Sequence, residues 1–287
     1  MFDELLANLG AHPRWVVLTG AGISAASGIP TYRNDRGEWQ RSDPIQHQDF
    51  IARPEKRRRY WARSMNGWPY VRASRPNAAH RALADLERLG HVRQLVTQNV
   101  DRLHQAAGSR RVVDLHGRLD RIRCLDCGGR VERDRYQQEL ERANPDYASY
   151  RAEIRPDGDA EVDDRWVAGL QVPACRACGG VLMPDVVFFG GSVPRNRVDK
   201  VRSAIEAADA LLVVGTSLMV YSGFRFCRQA VEAGKPLCIV NRGRTRADDL
   251  ATLKIEADGA QTLCRLRNAL RRPGATPPEA TVPLAGP

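Results

Sequence analysis

Short apolar runs that end in small or polar residues recur along the chain. The first run, at residues 15–19, is rich in β-branched residues and is followed by Gly20, Ala21 and Gly22. Its length and composition predict a buried strand, and the small residues after it predict a tight turn that opens a helix. Further strands are predicted at residues 92–96, 112–117, 208–214 and 236–240.

Helix-forming segments lie between these runs. Residues near 54–66 form one such segment, and Pro76-Asn77 introduces another that continues through residue 83. Strands that alternate with helices predict a mainly parallel sheet, because parallel neighbours need a crossover connection. We therefore expect an α/β fold with a Rossmann-like parallel sheet and helices on both faces.

The pattern changes between about residues 119 and 183, where acidic and turn-forming residues are frequent. Cys124 and Cys127 form one C-x-x-C pair, Cys175 and Cys178 form another, and two glycines follow each pair. Four thiolates can complete a tetrahedral Zn²⁺ site without an open position, which predicts a structural metal in a small inserted domain. Redox chemistry is the alternative, although it typically uses a single C-x-x-C pair at the start of a helix.

Composition narrows the possible classes of protein. The 287 residues are 43% hydrophobic, which is enough for one or two globular domains. Lys and Arg outnumber Asp and Glu by 44 to 34, but the signs are interleaved, which favours a solvated surface over a nucleic-acid groove. Seven cysteines without a secretion signal argue against a disulfide framework. The chain has no apolar stretch of membrane-spanning length and no recognisable signal peptide or presequence, so we expect a cytoplasmic protein without membrane contact.

Two local features suggest chemistry. The Gly20-Ala21-Gly22 turn would let the backbone approach a phosphate at a helix N-terminus. The third glycine of the usual dinucleotide fingerprint is displaced and no acidic residue ends the second strand, so an ordinary strand-to-helix turn remains open. His116 lies at the end of a predicted short strand, where parallel sheets form a cleft, and the ordinary imidazole pKa of about 6.5 suits a general base. A purely structural histidine is the other interpretation.

Several motifs occur in an order that makes a family resemblance specific. They are Gly20-Ala21-Gly22-Ile23-Ser24, Gly28-Ile29-Pro30-Thr31-Tyr32-Arg33, Thr97-Gln98-Asn99-Val100-Asp101, Leu115-His116-Gly117, the two cysteine pairs, Gly215-Thr216-Ser217-Leu218 and Ile239-Val240-Asn241. Together they resemble the sirtuin family over about residues 10–270. Pro44-Ile45-Gln46-His47 and Val220-Tyr221-Ser222-Gly223 are among further stretches that resemble its class II branch, which includes mitochondrial lipoamidase and ADP-ribosyltransferase types. The chain resembles a bacterial member of that branch.

The resemblance implies an NAD-dependent protein-lysine deacylase with one structural zinc. In the family, the acyl-lysine carbonyl oxygen attacks the ribose carbon that carries nicotinamide, and nicotinamide leaves. A histidine then deprotonates the ribose hydroxyl that receives the acyl group. By this resemblance His116 is the base, Asn99 and Asp101 are further catalytic residues, and the substrates are acyl-lysine proteins or peptides together with NAD. The implied zinc ligands are Cys124, Cys127, Cys175 and Cys178.

The resemblance also implies which residues bind the two substrates. The expected NAD contacts are Gly20, Ala21, Gly22, Ser24, Gly28, Thr31, Tyr32, Arg33, Gln98, Asn99, Val100, Asp101, His116, Gly215, Thr216, Ser217, Asn241, Arg242, Gly243 and Gly259. The residues expected to bind the peptide through main-chain hydrogen bonds are Val186, Val187, Phe188, Phe189 and Gly190. Thr31 stands where many members have an acid, and Gly191 replaces a frequent carboxylate, so one cofactor contact and the peptide preference stay open.

These motifs also divide the chain into parts. Residues 1–33, 76–118 and 184–270 are expected to form the Rossmann-type NAD-binding domain. Residues 34–75 would supply the helices of a small domain, residues 119–183 its zinc-binding module, and residues 271–287 a disordered tail.

Other functions remain open at this point. Mono-ADP-ribosyl transfer uses the same cleavage of NAD, and an acidic- or long-chain-acyl deacylase is a second variant. Tyr60 and Arg63 resemble a clamp for acidic acyl groups, because an arginine fork suits a carboxylate. A Rossmann oxidoreductase would use NAD for hydride transfer and retain nicotinamide in the product. A catalytically silent NAD-sensing module that binds nucleic acid is the alternative from a different class, but it would leave His116 without a purpose.

Overall fold

A computed structural model describes residues 1–31, 44–149 and 164–271 of the chain. The elements are α1 Phe2–Ala11, β1 Trp15–Thr19, α2 His47–Ala52, α3 Pro54–Ala73, α4 Ala78–Arg88, β2 Val92–Thr97, α5 Leu103–Ala106, β3 Val112–Asp114, β4 Gly117–Cys124, β5 Arg130–Glu132, α6 Arg133–Ala143, α7 Asp164–Gly169, β6 Leu182–Val186, α8 Arg195–Ala207, β7 Ala210–Val214, α9 Tyr221–Glu232, β8 Leu237–Val240, β9 Leu253–Ile255 and α10 Gly259–Leu270. Within these described ranges, no helix is both long and apolar enough to cross a lipid bilayer.

Six parallel strands form the larger sheet, in the order β3-β2-β1-β7-β8-β9. The strand order reverses between β1 and β7, which places a crevice at the carboxyl ends of these two strands. Side chains of β1 alternate between two cores. Trp15 and Val17 pack with residues of α1, α4 and α10, whereas Val16 and Leu18 pack with residues of α8 and α9. Helices therefore cover both faces of the sheet, and the expected fold class is confirmed.

A second sheet is antiparallel, in the order β5-β4-β6. It shares one hydrophobic core with α2, α3, α6 and α7, in which the rings of Trp61 and Tyr136 meet edge to face at 4.7 Å between centroids. Arg133 is buried in this core, and its guanidinium lies over the rings of Trp61 and Trp68. Residues 47–73 and residues 117–186 are separated in the sequence but share this core. We therefore call α2, α3, α6, α7 and the antiparallel sheet the small lobe. The parallel sheet and the helices packed against it form the large lobe.

The antiparallel sheet extends slightly beyond the predicted zinc-binding module. β4 begins at Gly117 and β6 ends at Val186, whereas the sequence predicts a module over residues 119–183. The domain boundaries as a whole stay a prediction. Apart from residue 271, the predicted tail at residues 271–287 lies outside the described residues.

The helix that we expected to begin directly after β1 is not an α-helix in the structure. The chain instead forms two 3₁₀ turns, Ala21–Ile23 and Ala25–Ser27. The Gly22 N–H donates to the Gly215 carbonyl on the neighbouring turn, at 2.9 Å, and is therefore not part of a helical ladder. Gly28 ends the second turn in the left-handed region, with φ of +89°. This local geometry keeps the main chain against the end of β7.

We expect Gly117→Ala to destabilise the protein by about 3 kcal/mol or more. Gly117 has φ of +93°, and a Cβ there would lie 2.0 Å from the carbonyl oxygen of Asp185 on β6. Gly108→Ala is the matched control, because Gly108 has φ of +101° but nothing within 4 Å of its added Cβ. The control should lose only about 1 kcal/mol, from the backbone conformation alone. Urea unfolding measures both values, and equal losses would contradict the close contact.

Candidate active site and metal centre

A cavity of about 640 Å³ opens at the carboxyl ends of β1 and β7, where the parallel sheet meets the small lobe. Most of the predicted site residues line it, namely Gly20, Ala21, Gly22, Ser24, Thr31, Gln98, Asn99, Val100, Asp101, His116, Val186, Val187, Phe188, Phe189, Gly190, Gly215, Thr216, Ser217, Asn241, Arg242 and Gly259. Gly28 and Gly243 are not part of its wall, and Tyr32 and Arg33 lie outside the described residues. The structure thus brings together residues from distant parts of the sequence.

The turns that follow β1 and β7 touch each other through glycines. A Cβ on Gly20 would lie 2.6 Å from the Cβ of Thr216, and a Cβ on Gly215 would lie 2.7 Å from the main-chain nitrogen of Ile23. Gly215 also adopts φ of +63°, which favours glycine. Because the first turn is a 3₁₀ turn, a phosphate would meet main-chain N–H groups rather than an α-helix dipole, although the Gly22 N–H already donates to the Gly215 carbonyl.

Ser24, Asn99 and Asp101 form a hydrogen-bond network at the cavity wall. The Ser24 hydroxyl donates to the Asp101 carboxylate at 2.7 Å, and the Asn99 amide donates to Ser24 Oγ at 2.9 Å and to the Gly20 carbonyl at 3.1 Å. The Leu103 N–H donates to the other Asp101 oxygen at 2.9 Å. Burial raises the pKa of Asp101, although these hydrogen bonds oppose that rise. The network fixes the positions of all three side chains.

Two buried histidines lie behind this network, and sequence reasoning missed both. His80 Nε2 lies 3.4 Å from Ser24 Oγ, and His104 Nε2 lies 2.9 Å from Thr19 Oγ1. Their rings are 4.7 Å apart, and burial lowers the pKa of each, to about 4 for His80. The sequence signal for His80 was its position three residues after Asn77, with which it forms a capping box at the start of α4.

The imidazole of His116 is held by two hydrogen bonds. Nδ1 lies 3.0 Å from the Gln98 carbonyl, and Nε2 lies 2.7 Å from the Ser222 hydroxyl. A carbonyl oxygen only accepts, so Nδ1 carries the proton, and Nε2 accepts from Ser222. Burial lowers the pKa of His116 to about 4, and the nearby Arg197 and Arg225 lower it further. The ring is therefore neutral at pH 7, with its lone pair on the nitrogen that faces Ser222.

Ser222 and Asp258 also line the cavity, and the sequence did not single out either residue for a role. Ser222 lies in the first turn of α9. Asp258 caps α10 by accepting from the Gln261 N–H at 2.9 Å and pairs with Arg242 at 3.4 Å. Ser222 lies in the Val220-Tyr221-Ser222-Gly223 stretch, and Asp258 directly precedes the predicted contact Gly259.

The predicted peptide-binding residues follow β6 along the cavity wall. The Val187 N–H donates to the His116 carbonyl at 2.7 Å, and the Phe189 carbonyl accepts from the His47 N–H at 2.8 Å. The Phe188 ring packs against Tyr60 and Phe50, with centroids 5.1 Å apart in each pair. We call residues 186–190 the wall strand. Its main chain is therefore fixed to both lobes.

The four cysteines of the two C-x-x-C pairs come together outside this cavity. Their Sγ atoms all lie within 4.8 Å of one another, and the Cys124–Cys178 and Cys127–Cys175 distances are 3.6 and 3.8 Å. These distances exclude disulfides, and they match the ~3.8 Å that separates sulfurs around a tetrahedral Zn²⁺ with Zn–S bonds of ~2.3 Å. The donor set therefore fits a structural Zn²⁺.

Matching main-chain hydrogen bonds shape the two cysteine knuckles. The Cys124 N–H donates to the Gly129 carbonyl at 2.8 Å, and the Cys175 N–H donates to the Gly180 carbonyl at 2.9 Å. By contrast, Cys227 and Cys238 are buried in the cores of the parallel sheet, where burial raises the pKa of their thiols to about 12 and 11. The other buried cysteines thus stay protonated and act as small core residues.

We expect the purified protein to hold about one Zn²⁺ per chain, measured by mass spectrometry of the metal content. Cys124→Ala should lose the ion and lower the midpoint of thermal unfolding by ~10 °C or more, because metal binding contributes to the stability of the fold. Cys264→Ala is the control, since Cys264 lies on α10 outside the cluster. Wild-type protein that contains no metal, together with a Cys124→Ala variant that unfolds at the same temperature as the wild type, would contradict the zinc site.

Known proteins resemble this chain in sequence and in structure. The family model described as "Sir2 family" matches residues 20–222. An NAD-dependent protein deacetylase of Xanthomonas campestris pv. campestris (strain 8004) is 56% identical over 89% of this chain and 87% of its own length. The protein of the same name from Bordetella bronchiseptica is 55% identical over 86% of this chain and 90% of its own.

Solved structures agree with the sequence relatives. A Sir2 homologue in complex with NAD is 30% identical, has a TM-score of 0.71 and covers 93% of both chains. A Sir2 variant with a deacetylated p53 peptide and 3′-O-acetyl ADP ribose is also 30% identical, has a TM-score of 0.75 and covers 93% of this chain and 98% of that one. The family match spans more than half of the chain, and the relatives extend over nearly all of it. The chain therefore belongs to the Sir2 family, the sirtuins.

Proposed function

We infer that the protein is an NAD-dependent protein-lysine deacylase of the deacetylase type. The observation that carries this function is the neutral imidazole of His116, which lies in the cavity wall close to the Ser24–Asn99–Asp101 network. The names of the bacterial relatives and the Sir2 complexes with NAD and with a deacetylated peptide support the same activity.

The residues of the cavity fit NAD in its expected orientation. When bound, NAD supplies a ribose carbon that is activated by its nicotinamide leaving group and a ribose hydroxyl that receives the acyl group. The main chain of Gly20, Ala21 and Gly22 would bind the pyrophosphate, because all three residues line the cavity and none carries a side chain larger than a methyl group. Gln98, Asn99 and Asp101 would surround the nicotinamide ribose. The residues proposed for the adenosine side are Gly215, Thr216, Ser217, Asn241, Arg242 and Gly259.

His116 is suited to take a proton from a ribose hydroxyl. The Gln98 carbonyl holds the proton on Nδ1 and so leaves the Nε2 lone pair as the acceptor. The Ser222 hydroxyl donates to this lone pair at 2.7 Å. A ribose hydroxyl that donates its proton to Nε2 must replace Ser222 as the donor. Binding of NAD would therefore require the Ser222 hydroxyl to give up this hydrogen bond.

The wall strand is the proposed binding surface for an extended peptide that carries the acyl-lysine. Its main chain lies along the cavity beside His116, and extended peptides add to such segments through main-chain hydrogen bonds. Tyr60 also lines the cavity, whereas Arg63 is not among its wall residues. A preference for acidic acyl groups through Tyr60 and Arg63 thus stays a prediction. Of the two residues, Tyr60 is the one whose place in the cavity wall supports contact with an acyl group.

We also propose assignments finer than the family. Membership of the class II branch is supported by stretches such as Val220-Tyr221-Ser222-Gly223, in which Ser222 contacts His116. The division into an NAD-binding domain and a small domain is supported by their separate hydrophobic cores. Action in the cytoplasm is supported by the close thiols of the metal cluster, because a reducing compartment keeps such thiols available for Zn²⁺.

The lowered pKa of His116 leads to a prediction of pH dependence. A base whose pKa is lowered to about 4 is deprotonated above that pH, so its function is retained as the pH falls from 7 to about 5.5. An ordinary imidazole would lose most of its basic form over this range. NMR titration of the His116 ring, assigned by comparison with His116→Ala, measures the pKa directly. A midpoint near that of a histidine in a short peptide would contradict the prediction.

The proposed activity is tested by incubating the protein with NAD and an acetyl-lysine peptide. We expect free nicotinamide, deacetylated peptide and O-acyl-ADP-ribose in equal amounts, identified by mass spectrometry. His116→Ala should lower the rate of product formation by ~100-fold or more, as is typical for loss of a general base. His12→Ala is the control. His12 follows the last residue of α1 and does not line the cavity, so this variant should retain full activity. ADP-ribosylated protein in place of deacetylated peptide would favour mono-ADP-ribosyl transfer, and reduced NAD would indicate an oxidoreductase.

A further inference from the structure

A second, smaller cavity of about 310 Å³ lies beside the wall strand. It shares Val186, Val187, Gly190 and Gly191 with the large cavity, so the two spaces border each other along this segment. Gly190 and Gly191 present no side chain at the border. An extended peptide bound along the wall strand would therefore pass close to the entrance of the small cavity.

Two arginines and a histidine contribute to the wall of the small cavity. Arg123 reaches it from β4 and Arg197 from α8, and His47 lies at the start of α2. Asp185 on β6 is the acid that lines this cavity, but Arg121 already binds it with two donors at 2.7 and 3.0 Å. Arg121 and Arg197 thus both face the Asp185 carboxylate, and Arg123 adds a further guanidinium to the wall, which leaves an excess of positive charge among the described residues of this cavity.

The arginines of the small cavity have unused hydrogen-bonding capacity. Arg197 lies 3.7 Å from Asp185, beyond a normal hydrogen bond, with its side chain 23% exposed. Arg123 Nε is buried and has no hydrogen-bond partner within the described part of the chain. Burial lowers the pKa of Arg197, and the neighbouring Arg121 and Arg123 lower it further, although Asp185 and Asp114 oppose this effect. An anion in the cavity would relieve this repulsion and accept hydrogen bonds from the partly exposed Arg197 guanidinium.

We propose that the small cavity is a subsite for the carboxylate of an aspartate or glutamate that flanks the acyl-lysine in the substrate protein. The inference rests on the proposed deacylase function, which places the acyl-lysine peptide along the wall strand. It adds a sequence preference that main-chain recognition alone does not supply. An arginine fork suits a carboxylate, and the partial exposure of these side chains limits the effect to a modest gain in affinity.

Pairs of acetyl-lysine peptides test the subsite. Each pair carries either Glu or Gln at one of the three positions on either side of the acetyl-lysine, and deacetylation is measured at saturating NAD. We expect a KM that is about fivefold or more lower for Glu than for Gln at one position or two, with little change in kcat. The ratio should shrink at high salt because the interaction is electrostatic and partly exposed.

Variants separate the subsite from the general positive charge of the protein. Arg123→Gln combined with Arg197→Gln should bring the ratio of KM values for Gln and Glu peptides close to one. The kcat for the Gln peptide should be retained at pH 8, where His116 is deprotonated with or without the charge of Arg197. Arg195→Gln is the matched control, since Arg195 lies on α8 only two residues from Arg197 but does not line the cavity and is 95% exposed. It should keep the preference. In Arg123→Glu, a Lys peptide should become the better substrate, a gain that misfolding cannot produce.

Each remaining outcome distinguishes among the proposals. The absence of a Glu preference at every position, or a preference that survives in the double variant, overturns the subsite while leaving the deacylase function intact. A preference for phosphoserine without one for Glu overturns the assignment to a carboxylate. If no peptide is deacetylated at all, the proposed function itself fails.

Discussion

The position of the proposed base depends on one of the points where the chain crosses between its two sheets, at His116 and Gly117. β3, an edge strand of the parallel sheet, ends at Asp114, and β4 of the antiparallel sheet begins at Gly117. Only Leu115 and His116 connect the two strands. The left-handed conformation of Gly117 allows the backbone to pass directly against Asp185, where any larger residue would collide. The Val187 N–H then closes the crossing by donating to the His116 carbonyl. The imidazole is thereby fixed where the two lobes meet.

This crossing explains why the proposed base is half-buried and yet accessible to a ligand. The ring packs between the end of the parallel sheet and the first turn of α9. It donates to the Gln98 carbonyl at the end of the sheet and accepts from the Ser222 hydroxyl on α9. Burial favours the neutral ring, and the Gln98 carbonyl selects the tautomer. A solvent-exposed histidine at the same sequence position would have neither property. Its chemistry therefore follows from the packing of the lobes rather than from the residue type alone.

Much of the fold could be predicted because its signals are local. The apolar run of β1 supplies both cores through simple alternation, and the cysteine pairs meet at distances that fit one metal ion. Prediction was less successful where tertiary contacts override local patterns. The helix near residues 54–66 continues to Ala73 despite Pro69, because Trp68 and Val71 are buried in the small-lobe core.

The candidate site could be predicted only in part, for the same reason. The glycines around Gly20 and Gly215 have a sequence signature, because their close approach excludes side chains. Ser222 lies more than a hundred residues from His116 in the chain, so no local pattern indicates their contact. Arg123 and Arg197 are likewise brought to one cavity from β4 and α8, and their isolated positions in an arginine-rich sequence carry no signal. Long-range contacts of this kind appear only with the fold.

The metal cluster acts on the proposed chemistry through two strands, although it lies outside the cavity. β4 runs from Gly117, next to the base, to Cys124, the first sulfur of the cluster. β6 follows the last sulfur, Cys178, and leads into the wall strand after Val186. The two strands pair antiparallel, with Cys124 opposite Leu182 at one end and Gly117 opposite Val186 at the other. A closed four-sulfur site offers no position for a substrate, so its contribution is to hold the far end of this ladder. Because the near end carries both the proposed base and the proposed peptide-binding surface, a bound Zn²⁺ would stabilise their relative placement without taking part in the reaction.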